Sequence, residues 1–169
     1  MGWNPLIELG LAVQTNGATS LVAGGIAVNI HGYQRMTADL DLVVQLDSDN
    51  IRKAMNALNQ LDYTPLIPVT TDNFIDPEMR RNWIETRNMR VLSLQSDQFP
   101  ETTIDIFVAE PFDFDQEYES AFKAEITSDT IINIVSIPTL IEMKKKSGRA
   151  RDLDDIKHLQ IIAEEYNEQ

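Results

Sequence analysis

The sequence predicts an α/β (α+β) domain in which helices flank a mixed β-sheet and a short helical tail ends the chain. Apolar runs of strand type alternate with segments of helical periodicity, and no repeat, low-complexity tract or flexible linker divides the chain. The last quarter holds helical patterns only. We therefore expect one domain over residues 1–169, with a core at about 18–136 and C-terminal helices at about 137–165.

Turn and cap signals separate the elements of the first half. Asn16-Gly17 ends the first helix, Gly24-Gly25 follows a short apolar run, and Asp47 to Asp49 supply a helix N-cap. The strand that begins at Asp39 alternates at first and is then continuously apolar, which is typical of a half-buried strand. The predicted elements are helix 5–15, strand 20–23, helix 25–32, strand 39–46 and helix 50–61.

Proline and glycine separate the elements of the second half. Two prolines within residues 63–71 predict an edge strand or a loop, and Asp76-Pro77-Glu78 predicts a helix start. Pro138 opens the first tail helix and Gly148 closes it. The remaining predicted elements are strands 90–95 and 102–109, a helix at 116–124, a β-like segment at 125–136, and tail helices at 138–147 and 151–165.

Composition excludes several functional classes. The chain has no cysteine, which removes thiolate zinc sites, disulfide scaffolds and cysteine nucleophiles. No signal peptide pattern and no apolar run of about 20 residues is present, so we expect a soluble, cytoplasmic protein without a membrane partner. The net charge of −13 opposes nucleic-acid binding, except through the one dense basic segment, residues 144–151.

Acidic residues interrupt two apolar strands. On a strand, Asp39 and Asp41 project from the same face, and two close carboxylates repel unless a cation lies between them. A hard ion such as Mg²⁺ prefers such oxygen ligands. Asp105 interrupts the strand TTIDIFVA, and it would complete a two-metal cluster if that strand pairs beside Asp41. The alternatives are that Asp-x-Asp starts a strand or caps a helix, and that Asp105 is a turn residue.

Three patches together resemble the polymerase-β-like nucleotidyltransferase superfamily. They are LVAGGIAVNIHGYQRMTADLDLVV, TIDIF and IPTLIEMKKKSGRARDLDDIKHL, and the likeness runs from about residue 20 to 160. The last patch is similar to the tail of small bacterial members grouped with abortive-infection and toxin-type nucleotidyltransferases. The resemblance implies a minimal nucleotidyltransferase fold. Gly25 departs from the pattern, because the superfamily often has serine there, and the gap between the glycines and the aspartates is long.

The resemblance also implies roles for individual residues. The amides of Gly24 and Gly25 would hold the triphosphate of an NTP substrate. Two Mg²⁺ ions would be ligated by Asp39, Asp41 and Asp105, with Asp105 also helping to deprotonate the acceptor. Further contacts to the nucleotide would come from Arg35, Thr37, Lys144 and Arg149. The alternative for Arg35 is that it braces Asp39, and the alternative for the tail cations is that they only favour a helix C-terminus. Asp152 and Asp155 would then provide a cap and a partner for Arg149. His31 would have a cap or packing role.

The leading hypothesis is an Mg²⁺-dependent enzyme that moves NMP from an NTP to a hydroxyl of a small molecule, a tRNA or a protein. The second is a catalytically inactive binding or regulatory module of the same fold, with a partner protein in a toxin–antitoxin pair. A sugar-nucleotide transferase that binds Mn²⁺ through Asp-x-Asp is a third reading, in which Asp105 would have no function.

Overall fold

A seven-stranded mixed β-sheet lies at the centre of the structure, a computed structural model that describes residues 4–169. Within that range the elements in chain order are α1 Asn4–Asn16, β1 Ser20–Ala23, α2 Gly24–His31, β2 Leu40–Val44, α3 Ser48–Gln60, β3 Thr64–Pro65, α4 Thr71–Ile75, α5 Pro77–Arg87, β4 Val91–Gln95, β5 Ile104–Phe107, α6 Phe114–Ser120, β6 Phe122–Thr127, β7 Thr130–Ile134, α7 Ile137–Ser147 and α8 Ala150–Asn167. None of these helices is both long and apolar enough to cross a membrane.

The strand order is β3-β4-β5-β2-β1-β7-β6. The β2/β5 and β1/β7 pairs are parallel, and the remaining neighbours are antiparallel. Because β2 is central and pairs with both β1 and β5, the end of β1 and the starts of β2 and β5 meet at one edge of the sheet. The predicted mixed sheet is confirmed, and so is the helical tail, in which α7 packs against α8 and α8 contacts α2.

The core lies on the apolar face of the central strands. Leu40 and Leu42 of β2 and Ile104 and Ile106 of β5 are each at most 1% exposed. Full burial of such side chains contributes about 1.5–3 kcal/mol each, which holds β2 and β5 in register. Since successive strand residues point to opposite faces, the intervening Asp41 and Asp105 lie together on the other face.

One sequence prediction differs from the structure. The helix expected at 116–124 ends at Ser120, where Ala121 turns to an extended conformation with ψ 144°, and residues 122–127 form β6 instead. The β-like segment expected at 125–136 contains the end of β6 and the whole of β7, which pair in a hairpin. The alternation of FKAEIT and its pairing with β7 outweigh the helical tendency of the preceding acidic run. Helix α4, which begins at a capping box between Thr70 and Asn73, was not predicted.

Candidate functional site

Gly24 and Gly25 begin α2 directly after β1, and side chains of β2 and of the loop before it crowd both positions. Gly24 has φ +64°, and a Cβ there would lie 1.7 Å from Oδ2 of Asp41. A Cβ on Gly25 would lie 2.5 Å from Oγ1 of Thr37 and 3.1 Å from Nη2 of Arg35. Among residues 4–169, no side chain caps the N-terminus of α2. The first amides of α2 are therefore available to an anion, and the loop before β2 lies directly against them.

Asp41 and Asp105 are brought together by the register of the parallel strands. Their Cα atoms are direct partners in the β2/β5 pairing, and both side chains are partly buried on the same face. Adjacent strands lie about 4.8 Å apart, so the two carboxylates are neighbours. Asp39 precedes β2 by one residue and is exposed. The sequence left open whether the strand of Asp105 pairs beside that of Asp41, and the structure shows that it does.

Burial, aided by neighbouring negative charge, raises the pKa of Asp41 and of Asp105. Burial raises the pKa of Asp41 to about 6, and the negative charges of Asp105 and Asp39 add to this effect, while Lys144 and Arg149 oppose it. Burial also raises the pKa of Asp105; a hydrogen bond from Ser93 opposes that rise, and Asp39 adds to it. Such an excess of negative charge favours the approach of a cation.

The donor set suits Mg²⁺, because it consists of carboxylate oxygens at a partly open edge of the sheet. The three aspartates nevertheless do not form a ready-made ligand cage. Among residues 4–169, no three histidine or acidic side chains stand in an arrangement that could hold a metal ion as they are placed. This agrees with the position of Asp41, whose Oδ2 lies against Gly24.

Arg35 and Lys144 are held by a buried acidic pair on α8. Arg35 donates to both carboxylate oxygens of Asp155, at 2.7 and 2.8 Å. Lys144 contacts Asp155 at 2.8 Å and Asp152 at 3.2 Å, and its side chain is only 8% exposed. The alternative that Arg35 braces Asp39 is wrong, because its carboxylate partner is Asp155. For the same reason Asp155 is not the partner of Arg149.

Arg149 remains accessible. It precedes α8, and its Nε donates to Asp152 at 3.0 Å while 75% of its side chain stays exposed. Asp152 also accepts from the backbone amide of Arg149, so it provides both the cap and the ion pair expected from the sequence. Burial works against ionisation of Asp152, but the hydrogen bonds from Arg149 and Ser147 and the charge of Lys144 lower its pKa to about 2. The exposed guanidinium of Arg149 is close enough to Asp41 to lower the pKa of that carboxyl.

Sequence reasoning missed Ser93, whose hydroxyl donates to Oδ1 of Asp105 at 2.6 Å. The sequence signal for this residue was a serine in the middle of the strand VLSLQ, the strand that precedes that of Asp105 in the chain. Ser93 lies on the same face of that strand as Val91 and Gln95. His31 has the packing role expected of it, since it is buried with Nε2 at 2.7 Å from the carbonyl oxygen of Val135.

A cavity of about 720 Å³ lies on the other side of the loop before β2. Arg35 and Thr37 contribute to its wall, but Asp39, Asp41 and Asp105 do not. Leu6 and Ile26 are among its apolar lining residues, and Glu101 and Arg151 are among its charged ones. The cavity is therefore separate from the carboxylate face.

Similar solved structures include three nucleotidyltransferase-type proteins. The lincosamide antibiotic adenylyltransferase LnuA, with lincomycin bound, has a TM-score of 0.63 at 17% identity, covering 96% of this chain and 98% of its own. The solution structure of the antibiotic-resistance factor ANT(2'')-Ia has a TM-score of 0.59 at 8% identity, and the match covers 98% of this chain and 90% of that one. A putative nucleotidyltransferase from Thermotoga maritima has a TM-score of 0.56 at 12% identity, and the match covers 98% of this chain and 92% of that one. No protein-family model and no curated protein matches the sequence. The chain has the polymerase-β-like nucleotidyltransferase fold.

Proposed function

We propose that the protein is an Mg²⁺-dependent nucleotidyltransferase that transfers NMP from an NTP to a hydroxyl group of a small molecule. The observation that carries the proposal is the placement of Asp41 and Asp105 in one register, directly beside the Gly24-Gly25 turn. An anion-binding turn next to paired carboxylates provides for both halves of a metal–triphosphate substrate.

The residues around the carboxylates have separate roles in binding the nucleotide. The amides at Gly24 and Gly25 bind the triphosphate, and the exposed guanidinium of Arg149 neutralises part of its charge. Thr37 and Arg35 shape the loop against Gly25. Lys144, buried among carboxylates, contributes its charge without reaching solvent.

The reaction forms a bond between the acceptor oxygen and the α-phosphorus, and it breaks the bond between the α- and β-phosphates to release pyrophosphate. Asp105 accepts the proton of the acceptor hydroxyl, a role that suits a carboxylate whose pKa is raised by burial. Asp39, Asp41 and Asp105 would hold Mg²⁺, which when bound polarises phosphoryl oxygens and neutralises developing charge. Positioning of the two substrates supplies most of the remaining rate.

A small-molecule acceptor is favoured over RNA. One structural neighbour is an adenylyltransferase for lincosamide antibiotics, and another is an antibiotic-resistance factor. The net charge of −13 opposes RNA binding. The basic segment 144–151 is also weaker as an RNA surface than its sequence indicates, because Lys144 is buried in ion pairs. We therefore propose ATP and lincosamide-type antibiotics as the first substrates to test.

Two observations favour the second hypothesis, an inactive module of the same fold with a partner protein. Within residues 4–169 the three carboxylates are not arranged as a ligand cage, and Gly25 offers no hydroxyl to a phosphate. Such a module would bind nucleotide weakly or not at all.

Calorimetric titration of each NTP with Mg²⁺ separates the two hypotheses. We expect the wild type to bind at least one NTP in an Mg²⁺-dependent manner and the Asp39→Asn/Asp41→Asn variant to lose that binding. The matched control is Asp49→Asn, which removes an acid of α3 whose side chain is 78% exposed and pairs with Lys53. Release of pyrophosphate with a panel of acceptors then identifies the reaction. Absence of binding of every NTP by the wild type would overturn the enzyme proposal and leave the inactive module.

A further inference from the structure

Ser93 stands directly opposite Asp105 across the antiparallel β4/β5 pair. Their Cα atoms are register partners, and the Ser93 hydroxyl donates to Oδ1 of Asp105 at 2.6 Å. Among residues 4–169 no other side chain donates a hydrogen bond to either oxygen of Asp105. The contact is short and charge-assisted, a type roughly twice as strong as a neutral hydrogen bond.

The backbone on both sides of this contact is fixed. Leu92 and Leu94 flank Ser93, Ile104 and Ile106 flank Asp105, and all four are at most 1% exposed. The four apolar side chains hold both strands against the core, so the serine and the aspartate keep their relative position without any ligand. The hydrogen bond is therefore preorganised by the fold.

The residue type at position 93 has no separate structural reason. The strand VLSLQ would gain β-propensity and packing from a β-branched residue there, since serine is not enriched in strands. Within the described range, residues 4–169, the serine hydroxyl has one partner, the carboxylate of Asp105. A polar residue placed against one carboxylate oxygen restricts the rotation of that carboxylate and leaves its second oxygen for another ligand.

We propose that Ser93 is a positioning residue that fixes the orientation of Asp105 for binding of Mg²⁺ and for acceptance of the hydroxyl proton. This inference rests on the proposed nucleotidyltransferase function and extends it to a residue outside the three aspartates. Groups that hold a metal ligand in place affect metal affinity or activity by about 10–100-fold when removed. Ser93→Ala is therefore expected to weaken Mg²⁺ binding, or to lower kcat, by about tenfold or more.

The test compares three variants in the full chain. Ser93→Ala removes the hydroxyl, Ser93→Thr keeps it on a residue that suits a strand, and Ser96→Ala is the matched control. Ser96 is buried and donates a hydrogen bond of the same 2.6 Å length, but to the carbonyl oxygen of Leu61. Loss of that bond is expected to lower stability without changing the site.

Mg²⁺ affinity is measured by calorimetry, and Mn²⁺ binding by electron paramagnetic resonance, both with a non-hydrolysable ATP analogue. These readouts do not depend on turnover. In steady-state assays the inference further predicts a lower kcat at nearly unchanged KM for the nucleotide, because the triphosphate is held at Gly24 and Gly25.

Weakened metal binding in Ser93→Ala, recovery in Ser93→Thr and no change in Ser96→Ala would support the role. Wild-type metal affinity and kcat in Ser93→Ala would overturn it while leaving the proposed function intact. The same loss in Ser96→Ala as in Ser93→Ala would also overturn it, because the effect would then be one of general stability. If the wild type itself shows no Mg²⁺-dependent nucleotide binding, both proposals fail together.

Discussion

Asp41 destabilises the folded state when no cation is bound, and Asp41→Asn measures that cost. The pKa of this carboxyl rises from 3.8 to about 6 on folding, chiefly through burial. A difference of about two pH units, at about 1.4 kcal/mol each, corresponds to about 3 kcal/mol of unfavourable free energy for the ionised form. We therefore expect Asp41→Asn to raise the free energy of unfolding by up to about 3 kcal/mol at pH 7.5 in EDTA.

The pH dependence follows from the sign of the shift. A group whose pKa is higher in the folded state binds more protons there, so its stabilising protonated form is fully present below about pH 3.8 and is lost as the pH rises through about 6. The advantage of Asp41→Asn should therefore be greatest above pH 7 and should shrink towards zero near pH 4.

Urea denaturation at pH 7.5 and pH 4.5, with EDTA or with Mg²⁺ and nucleotide, tests both statements. Mg²⁺ with nucleotide should stabilise the wild type and not Asp41→Asn, because binding to the folded state alone adds to stability. Asp49→Asn, at an exposed position of α3, should change stability by less than about 0.5 kcal/mol at either pH. An Asp41→Asn variant no more stable than wild type at pH 7.5 in EDTA would refute the reasoning, as would an equal gain at both pH values.

Three further substitutions test the surroundings of the carboxylates. Gly24→Ala places a Cβ 1.7 Å from Oδ2 of Asp41 at a residue with φ +64°. Thermal unfolding should therefore show lost stability, and calorimetry should show lost nucleotide binding. The control Gly17→Ala, at φ +69° with open space around it, should lose only about 1 kcal/mol through backbone strain. Arg149→Ala should raise KM for the nucleotide severalfold with little change in melting temperature, because its side chain is 75% exposed. Asp155→Asn, which leaves two partly or fully buried cations without their shared carboxylate, should cost about 3–5 kcal/mol in urea denaturation.

The carboxylate site was predictable because its signal is local. Asp41 and Asp105 each interrupt an apolar strand, and alternation along a strand decides which face a side chain takes. That the two strands would be neighbours depended on the resemblance to a known fold, since strand order cannot be derived from periodicity. The structure supplies the missing step by placing β5 parallel to β2 with these two residues in register.

The partners of the cations were not predictable in the same way. Arg35 and Asp155 are separated by 120 residues, and nothing in either local sequence indicates that α8 returns to the loop before β2. Asp152, in contrast, lies three residues after Arg149, where a helix cap is expected, and its role was recognised. The failure at 116–124 has a similar origin, because the pairing of β6 with β7 decides the conformation of a segment with mixed local preference.

Three features that conflict with simple folding rules occur around the carboxylates of Asp41 and Asp105. Gly24 takes a left-handed conformation, Asp41 is a partly buried carboxylate with a raised pKa, and Ser93 is a serine in the strand beside Asp105. Each costs stability in isolation, and apolar or β-branched residues would serve the sheet better at positions 41 and 93. Local violations of folding rules that converge on one place are characteristic of functional sites. A divalent cation would relieve the charge conflict at Asp41, and only a left-handed glycine at position 24 leaves that carboxylate the space it occupies.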